Sequence, residues 1–566
     1  PVDIETIHAD ARSELNFALD DLQERAGGEC PLGKVFTGRG GVGKTHLLQW
    51  LRRQTFQRNM TFLFADMTGV RDFWETMQLQ LIAAIDQQLD DKYRQCQYVL
   101  ADLLNSVVQK PKKNPIELAS LLAKWPVNQT IKYTQQLIAH LNRKHRGQMN
   151  QHQDVLRALI MLNSDEIELN NAANAWLHGT ETDEELLRRF AFTSAEKPPI
   201  EIVRGISWLL SLRGPTVLAI DQLDNIVAQQ RYRFENAEGR SEEITEEDDE
   251  ARRLKAITQN LAGGFAELVR SVMQRTLVVV SCYDDTWHHF VNNALRSATE
   301  SFDDPFALSN MPSAEAARLL IEGRMTTTFE KYNFTPSSNP WFIAPEAFDT
   351  SGGLSPRELL QKCEKHRKTC LKQGRVAVLE AIVEPPIPPD PPQPLEIDDK
   401  YDQEFLNLKQ SIDIAPFFDE KKDDDVWPML LDSALQGLIH EYEIHPQVDF
   451  IVDGQLAGGR SYQYLHARAK IIDHRRQAQE KQFCFRLLLQ DNAMAFQNRL
   501  KAAVTESGID KNLAFRSLTV IRNGQPPSGA KTQQLITQFN RAGGHWSEIS
   551  EDEIRTLVAL RELLLK

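Results

Sequence analysis

Several things are scarce in this chain of 566 residues, and each scarcity closes off a class of protein. There are only six cysteines (Cys30, Cys96, Cys282, Cys363, Cys370 and Cys484), and none form a C-x-x-C pair. That spacing argues against a zinc site and supplies no disulfide framework, so a reducing, cytoplasmic setting is the expectation. No run of about eighteen apolar residues occurs, as a membrane-crossing helix would require, and no signal-like segment opens the sequence as given. Basic charge is outweighed as well: 65 Lys and Arg stand against 79 Asp and Glu, so the chain as a whole is acidic with a net charge of −14. With 41% apolar and 25% charged residues the composition is otherwise ordinary, and the length fits three or four domains.

What is present is highly specific near the start. Gly38-Arg39-Gly40-Gly41-Val42-Gly43-Lys44-Thr45 satisfies G-x-x-x-x-G-K-[ST] at every fixed position. Gly33 to Thr37 before it reads as a buried strand, and His46 to Leu51 after it is apolar at helical spacing. Such a loop cradles phosphates on backbone N–H groups at a helix N-terminus. Gly38, Gly40, Gly41, Val42, Gly43, Lys44, Thr45 and His46 are therefore the expected nucleotide contacts. Lys44 would hold the β- and γ-phosphates and Thr45 would bind Mg²⁺ through its hydroxyl.

Thr216-Val217-Leu218-Ala219-Ile220-Asp221 reads as a buried parallel strand that delivers a carboxylate to the sheet edge, making Asp221 the second expected metal residue. Gln222 follows it, and an amide cannot act as a base at neutral pH. Asp224 either substitutes for the missing acid or caps the next element. A third apolar strand, Thr276 to Cys282, ends in Ser281 with Asp284 behind it, so Ser281 is either a polar sensor or a strand-end residue. Gly352-Gly353-Leu354-Ser355-Pro356-Arg357 gives a glycine turn, a cap and a proline at the first helical position. Arg357 then opens a lid helix, facing either a γ-phosphate or solvent.

Taken in this order, and with Phe302-Asp303-Asp304-Pro305-Phe306-Ala307-Leu308 leading into the lid, these motifs resemble the AAA+ and STAND P-loop ATPases. The closest branch resembles the origin-recognition-type ATPases. The P-loop ATPases of bacterial anti-phage systems such as BREX share the order, and Asp154 to Leu159 followed by Ala175-Trp176-Leu177-His178-Gly179 is similar to their helical insert. The resemblance spans about residues 1 to 380. It implies ATP and Mg²⁺ as cofactors, hydrolysis slowed by Gln222, and a switch that assembles on DNA or with effector proteins such as a nuclease or helicase, as a homo-oligomer or hetero-complex, plausibly in defence. It also implies an arginine finger from a neighbouring subunit, for which Arg296 is the candidate; a plain surface arginine would look the same. The rival reading is a scaffold that holds ATP without hydrolysing it. No helicase-type motif and no second phosphate loop is found.

The expected fold is α/β: a P-loop core with a parallel sheet (1–70 and 201–305), a helical insertion (71–200), a helical lid (306–383), and a separate C-terminal α+β module (401–566) beyond a linker (384–400). That linker holds seven prolines in Glu384 to Pro394, a stiff extended spacer. The acidic stretches Asp419 to Asp425 and Glu242 to Glu250 read as solvated loops. In the module, strands at Val448–Asp453 and Ser461–Asp473 resemble a restriction-endonuclease-like core. Arg468 stands where the E of its metal-binding E-x-K, ending at Lys470, would be. A metal nuclease is thereby disfavoured and a degenerate version of the fold stays open. Between Ile451 and Arg541 fourteen Lys and Arg face six Asp and Glu, a surface for duplex DNA or for an acidic partner. Arg475, Arg476, Lys481, Arg486, Arg499 and Lys501 are the candidate contacts. Lys531 to Lys566 resembles two helices around Gly543-Gly544, either a helix-turn-helix or a packing cap.

Overall fold

The structure is a computed structural model. It describes residues 3–565 apart from 26–28, 90–92, 108–116, 118–119, 121, 181–183, 225–245, 294–298, 337–339, 383–398, 421–422, 442–447, 453–463 and 474–478. The proline-rich linker, Arg296, Arg475 and Arg476 lie outside the described residues.

Five short runs rich in Val, Ile, Leu, Phe and Ala form the first sheet: β1 (Lys34–Thr37), β2 (Thr61–Asp66), β3 (Thr216–Asp221), β4 (Thr276–Cys282) and β5 (Phe306–Ala307). All pairings are parallel and the order is β2-β3-β4-β1-β5. A parallel sheet must be covered on both faces, which explains why β3 and β4 are apolar throughout rather than alternating. Alternate residues serve two cores. Phe36, Phe62, Val217, Ala219, Leu277 and Val279 pack with helices α1 (Ala9–Glu24) and α2 (Lys44–Gln57). Val35, Leu63, Ala65, Leu218, Ile220, Val278 and Val280 face the opposite way.

That opposite face is covered by what the sequence presents as an insertion. Helices α3 (Phe73–Asp86), α4 (Gln95–Val107), α5 (Val127–Lys144), α6 (Arg146–Leu162), α7 (Ile167–Leu177), α8 (Glu184–Arg189) and α9 (Pro199–Arg213) return the chain to β3. Their buried side chains, among them Phe73, Leu81, Leu156, Trp176 and Ile206, are continuous with the sheet face. The insertion therefore shares the core of the first sheet instead of forming a body of its own. Helix α10 (Glu246–Glu267) and α11 (Asp284–Asn293) flank β4. The residues Glu246 to Glu250 of the second acidic stretch are helical, a departure from the expected loop. The lid comprises α12 (Ala314–Lys331), a 3-10 turn at Pro345–Thr350 and α13 (Pro356–Lys372), with its own apolar cluster around Ala317, Phe348 and Leu359.

The C-terminal module holds a second, mixed sheet in the order β10-β9-β8-β7-β6. Strands β6 (Val448–Val452), β7 (Ala467–Asp473) and β8 (Gln479–Leu487) run antiparallel; β9 (Arg516–Ile521) and β10 (His545–Ser547) are parallel to β8. Helices α14 (Asp399–Ser411), α15 (Asp423–Glu441), α16 (Ala493–Ser507), α17 (Ala530–Arg541) and α18 (Glu551–Leu565) surround it. Asp423 to Asp425 open α15 rather than a solvated loop, and Asp423 is buried. The two terminal helices are separated by β10, which is paired into the sheet, so the last segment packs as part of the module.

The module is docked on the body built around the first sheet. Tyr464 donates its hydroxyl proton to Leu79 O at 3.3 Å, and Tyr464, Leu79 and Ala502 share an apolar cluster. Gly69 and Gly508 meet backbone to backbone: a Cβ built on Gly69 would lie 1.8 Å from Glu506 O, and one on Gly508 would lie 2.0 Å from Gly69 O. Neither glycine can be replaced without moving two main chains apart. Among the described residues no helix is long and apolar enough to cross a membrane.

Candidate nucleotide site

The phosphate loop lies between β1 and α2, at the carboxyl edge of the first sheet. Gly41 and Gly43 have φ of 80° and 113°, conformations that side chains resist, which accounts for glycine at both positions. Val42 between them is buried in the core shared by α1 and α2. Lys44 curls back over the loop, donating to Gly38 O at 2.7 Å and to Arg39 O at 3.4 Å. Its ammonium also lies 4.1 Å from the centroid of the Tyr283 ring. Burial lowers the Lys44 pKa, opposed by the charges of Asp224 and Asp221.

The register of β3 brings Asp221 to the loop. Thr45 donates from Oγ1 to Asp221 Oδ2 at 2.8 Å, Ser281 donates from Oγ to Asp221 Oδ1, and the Gln222 N–H donates to Oδ1 at 3.0 Å. Asp221 is buried, and burial pushes its carboxyl up against the pull of the Ser281 and Thr45 hydrogen bonds. Ser281 thus binds the Asp221 carboxylate, while Asp284 is exposed at the start of α11. Gln222 sits at φ 67°, a left-handed conformation unusual for a residue with a side chain.

Asp224 is half-buried beside the loop and accepts from the Tyr283 N–H at 2.6 Å. Burial raises its pKa to about 6, which Lys44 opposes. Asp224 is itself helical, and the residues that a cap there would serve lie outside the described ones; its carboxylate anchors the turn after β4.

The lid closes on the loop through α13. Ser355 and Glu358 form a reciprocal capping box and Pro356 occupies the first turn, so the helix starts where the sequence indicates. The Arg357 N–H donates to Gly41 O at 3.3 Å, and a Cβ built on Gly41 would lie 2.5 Å from Arg357 Cβ. Arg357 is thereby brought to the phosphate loop.

Two contacts escaped the sequence. Tyr283 carries no motif beyond being the aromatic residue after β4. His8, at the N-cap of α1, donates from Nε2 to Val42 O at 2.9 Å, and burial lowers its pKa. No local signal marks it. His46 is half-buried on α2, where burial lowers its pKa.

The candidate DNA contacts are largely reassigned. Arg486 is fully buried on β8 and pairs with Asp424 at 2.7 Å; Arg499 reaches the other Asp424 oxygen at 3.4 Å. Asp424 also meets His466 at 3.2 Å, and Asp423 lies close by. Their spacing suits a cation, but two guanidinium groups already neutralise Asp424, so the cluster is a structural ion-pair network. Lys501 donates to His178 O at 2.7 Å and Gly179 O at 3.1 Å, closing the end of α7 and helping to dock the module. Arg486 and Lys501 are therefore internal contacts, a correction to the expected basic surface. Lys481 is exposed on β8.

No protein-family model matches the chain, and no curated protein matches it. Among solved structures the comparisons include the ORC2 protein of Aeropyrum pernix in its ADPNP–ADP complexes (9% identity, covering 100% of this chain and 96% of that one, TM-score 0.31). Its ADP form is similar at 9% identity over the same shares, with a TM-score of 0.34. Cdc6p of Pyrobaculum aerophilum is similar at 10% identity, covering 100% of this chain and 97% of that one, with a TM-score of 0.28. These scores are low, and the fold assignment rests on this chain's own features. A strand–glycine loop–helix in an all-parallel sheet ordered β2-β3-β4-β1-β5, with a helical lid on the loop, is an AAA+-like P-loop architecture.

Proposed function

We propose that the chain is an ATP-binding and ATP-hydrolysing switch that assembles on DNA or with effector proteins. The observation that carries this reading is the Arg357 N–H donated to Gly41 O, which ties the lid to the loop whose neighbours Lys44, Thr45 and Asp221 converge at one sheet edge. A nucleotide seated there would lie between core and lid, so its presence would change how the two pack. The Thr45 hydroxyl and the Asp221 carboxylate meet at 2.8 Å and offer the oxygen donors that suit Mg²⁺. Both would hold the ion, which supplies charge neutralisation on the phosphates when bound. Lys44 would exchange its carbonyl partners for phosphate oxygens. Arg357 would add a second cation from the lid.

An oligomer with Arg296 as the finger, and an effector nuclease or helicase as partner, complete the reading without contacts among the described residues. The same holds for the cytoplasmic setting and the defence role. Duplex DNA is the nucleic-acid partner proposed, with Lys481 among the exposed basic residues of the module available to it.

The scaffold reading, in which ATP is held and not hydrolysed, is favoured by one specific observation, the amide at position 222. Turnover and ATP affinity of the wild type and Lys44→Ala, with and without duplex DNA, test both readings. Turnover lost in the mutant supports the switch; wild-type affinity for ATP in Lys44→Ala overturns nucleotide binding at this loop. Tight binding without turnover supports the scaffold.

A further inference from the structure

Gln222 leaves the site without the acid that would orient an attacking water, yet a second carboxylate stands level with Asp221. Asp66 ends β2, and in the parallel β2–β3 pair Asp66 is the register partner of Asp221. Neighbouring strands are about 4.8 Å apart, and register partners in a parallel pair project to the same face. Phe62 and Phe64 share the α2-side core with Val217 and Ala219, so alternation puts Asp66 and Asp221 together on the face where Thr45 meets Asp221. The Asp66 side chain keeps 11% of its surface accessible.

The residues that fix Asp66 come mostly from the C-terminal module. Arg468 Nη1 lies 3.5 Å from Asp66 Oδ2 and its Nη2 donates to Glu506 O at 2.8 Å. Lys470 donates to Thr68 Oγ1 at 3.4 Å, and the Thr68 N–H donates to Asp66 Oδ1 at 2.7 Å. Arg516 donates to Thr68 O at 2.8 Å and Val70 O at 3.0 Å. Arg468 and Lys470, which stand at the E and K positions of the expected E-x-K, thus clasp the loop that carries Asp66.

We propose that Asp66 is the carboxylate that orients the attacking water, in place of the acid absent at position 222, and that Arg468 of the C-terminal module is the positioning residue that holds it. The inference rests on the ATPase reading above. Asp66 accepts a hydrogen bond from the water while the water oxygen bonds to the γ-phosphorus. The bond from that phosphorus to the bridging oxygen breaks, ADP leaves with the electron pair, and the water's proton passes to the released phosphate. The module would then be required for hydrolysis.

The test uses the full chain with duplex DNA present, comparing wild type, Asp66→Asn and Arg468→Lys. Asp66→Asn keeps the acceptor for the Thr68 N–H. It is expected to lower kcat about 100-fold, with the ATP dissociation constant within about threefold; the melting temperature falls because Arg468 loses this charged partner, so turnover is read well below it. Nucleotide extracted after incubation stays ATP in Asp66→Asn and becomes ADP in the wild type. Arg468→Lys keeps the charge but loses the fork, and should lower kcat about tenfold at unchanged affinity. If Asp66→Asn does not fold, this second variant decides. Wild-type kcat in the folded variants, or a loss of affinity equal to the loss of turnover, overturns the proposal. A wild type that binds ATP without turning it over overturns it while leaving nucleotide binding intact; a wild type that binds no ATP overturns both readings.

Discussion

Thr45 and Asp221, 176 residues apart in sequence, are joined by a 2.8 Å hydrogen bond from the threonine hydroxyl to the carboxylate. The bond links the helix after the phosphate loop to the end of β3, and each oxygen is where a hard cation would be shared. Replacing Asp221 by Asn keeps an acceptor for Thr45 and removes the charge. Mg²⁺-dependent ATP affinity is expected to fall about tenfold or more in that variant, with metal-free ATP binding less affected. Calorimetric titration with and without Mg²⁺ checks this.

Gly41 has φ of 80° and touches Arg357. An alanine there must push the lid helix outward as well as adopt a strained backbone, at a cost of about 1 kcal/mol for the conformation alone. Gly41→Ala should therefore weaken ATP binding by about tenfold and loosen the lid. Limited proteolysis of α13 with and without ATP reports the second effect.

The Asp224 carboxyl titrates at about 6 in the folded protein because it is buried. A raised folded-state pKa means that its contribution to stability is fully present below the ordinary aspartate range and is lost as the pH rises through about 6. Asp224→Asn, which still accepts from the Tyr283 N–H, should match wild-type stability near pH 4. It should exceed it by about 3 kcal/mol above pH 6.5. Urea denaturation of both proteins from pH 4 to 8 measures the difference.

Arg486 is wholly buried against Asp424. Arg486→Met leaves that carboxylate short of its main cation and should destabilise the module by about 3 to 5 kcal/mol. If Arg486 instead served DNA, the substitution would reduce the salt dependence of DNA affinity and leave the denaturation midpoint in place. Measuring both separates the two roles.

The candidate nucleotide site was legible because each of its parts carries a local signal, although the parts lie far apart in sequence. Glycine spacing fixes the loop, apolar runs ending in Asp221 and Ser281 fix the strand edges, and Ser355-Pro356-Arg357-Glu358 contains its own helix start. The sites that escaped are those made by contacts between distant segments. His8 reaches Val42 through a single hydrogen bond that leaves no pattern, and Asp66 gains its meaning only from the β2–β3 register. The basic balance of the C-terminal module was misleading for the same reason. A count of charges does not reveal that Arg486 is spent on Asp424, Lys501 on the end of α7, and Arg516 on backbone carbonyls of the core. Likewise, helical periodicity marked the insertion but not that its apolar stripes would cover a sheet face.

The docking of the C-terminal module bears on how the chain can be divided. A proline-rich spacer invites a cut, but the halves would not part cleanly. The N-terminal piece would present loop carbonyls at Thr68 and Val70 stripped of their guanidinium donor, and the other piece would carry Arg468, Lys470 and Arg516 into water with an apolar patch around Tyr464. Each fragment would bring new sticky surface with it, so fragments expressed alone should be prone to aggregate and to bind polyanions through cations that the intact protein keeps covered.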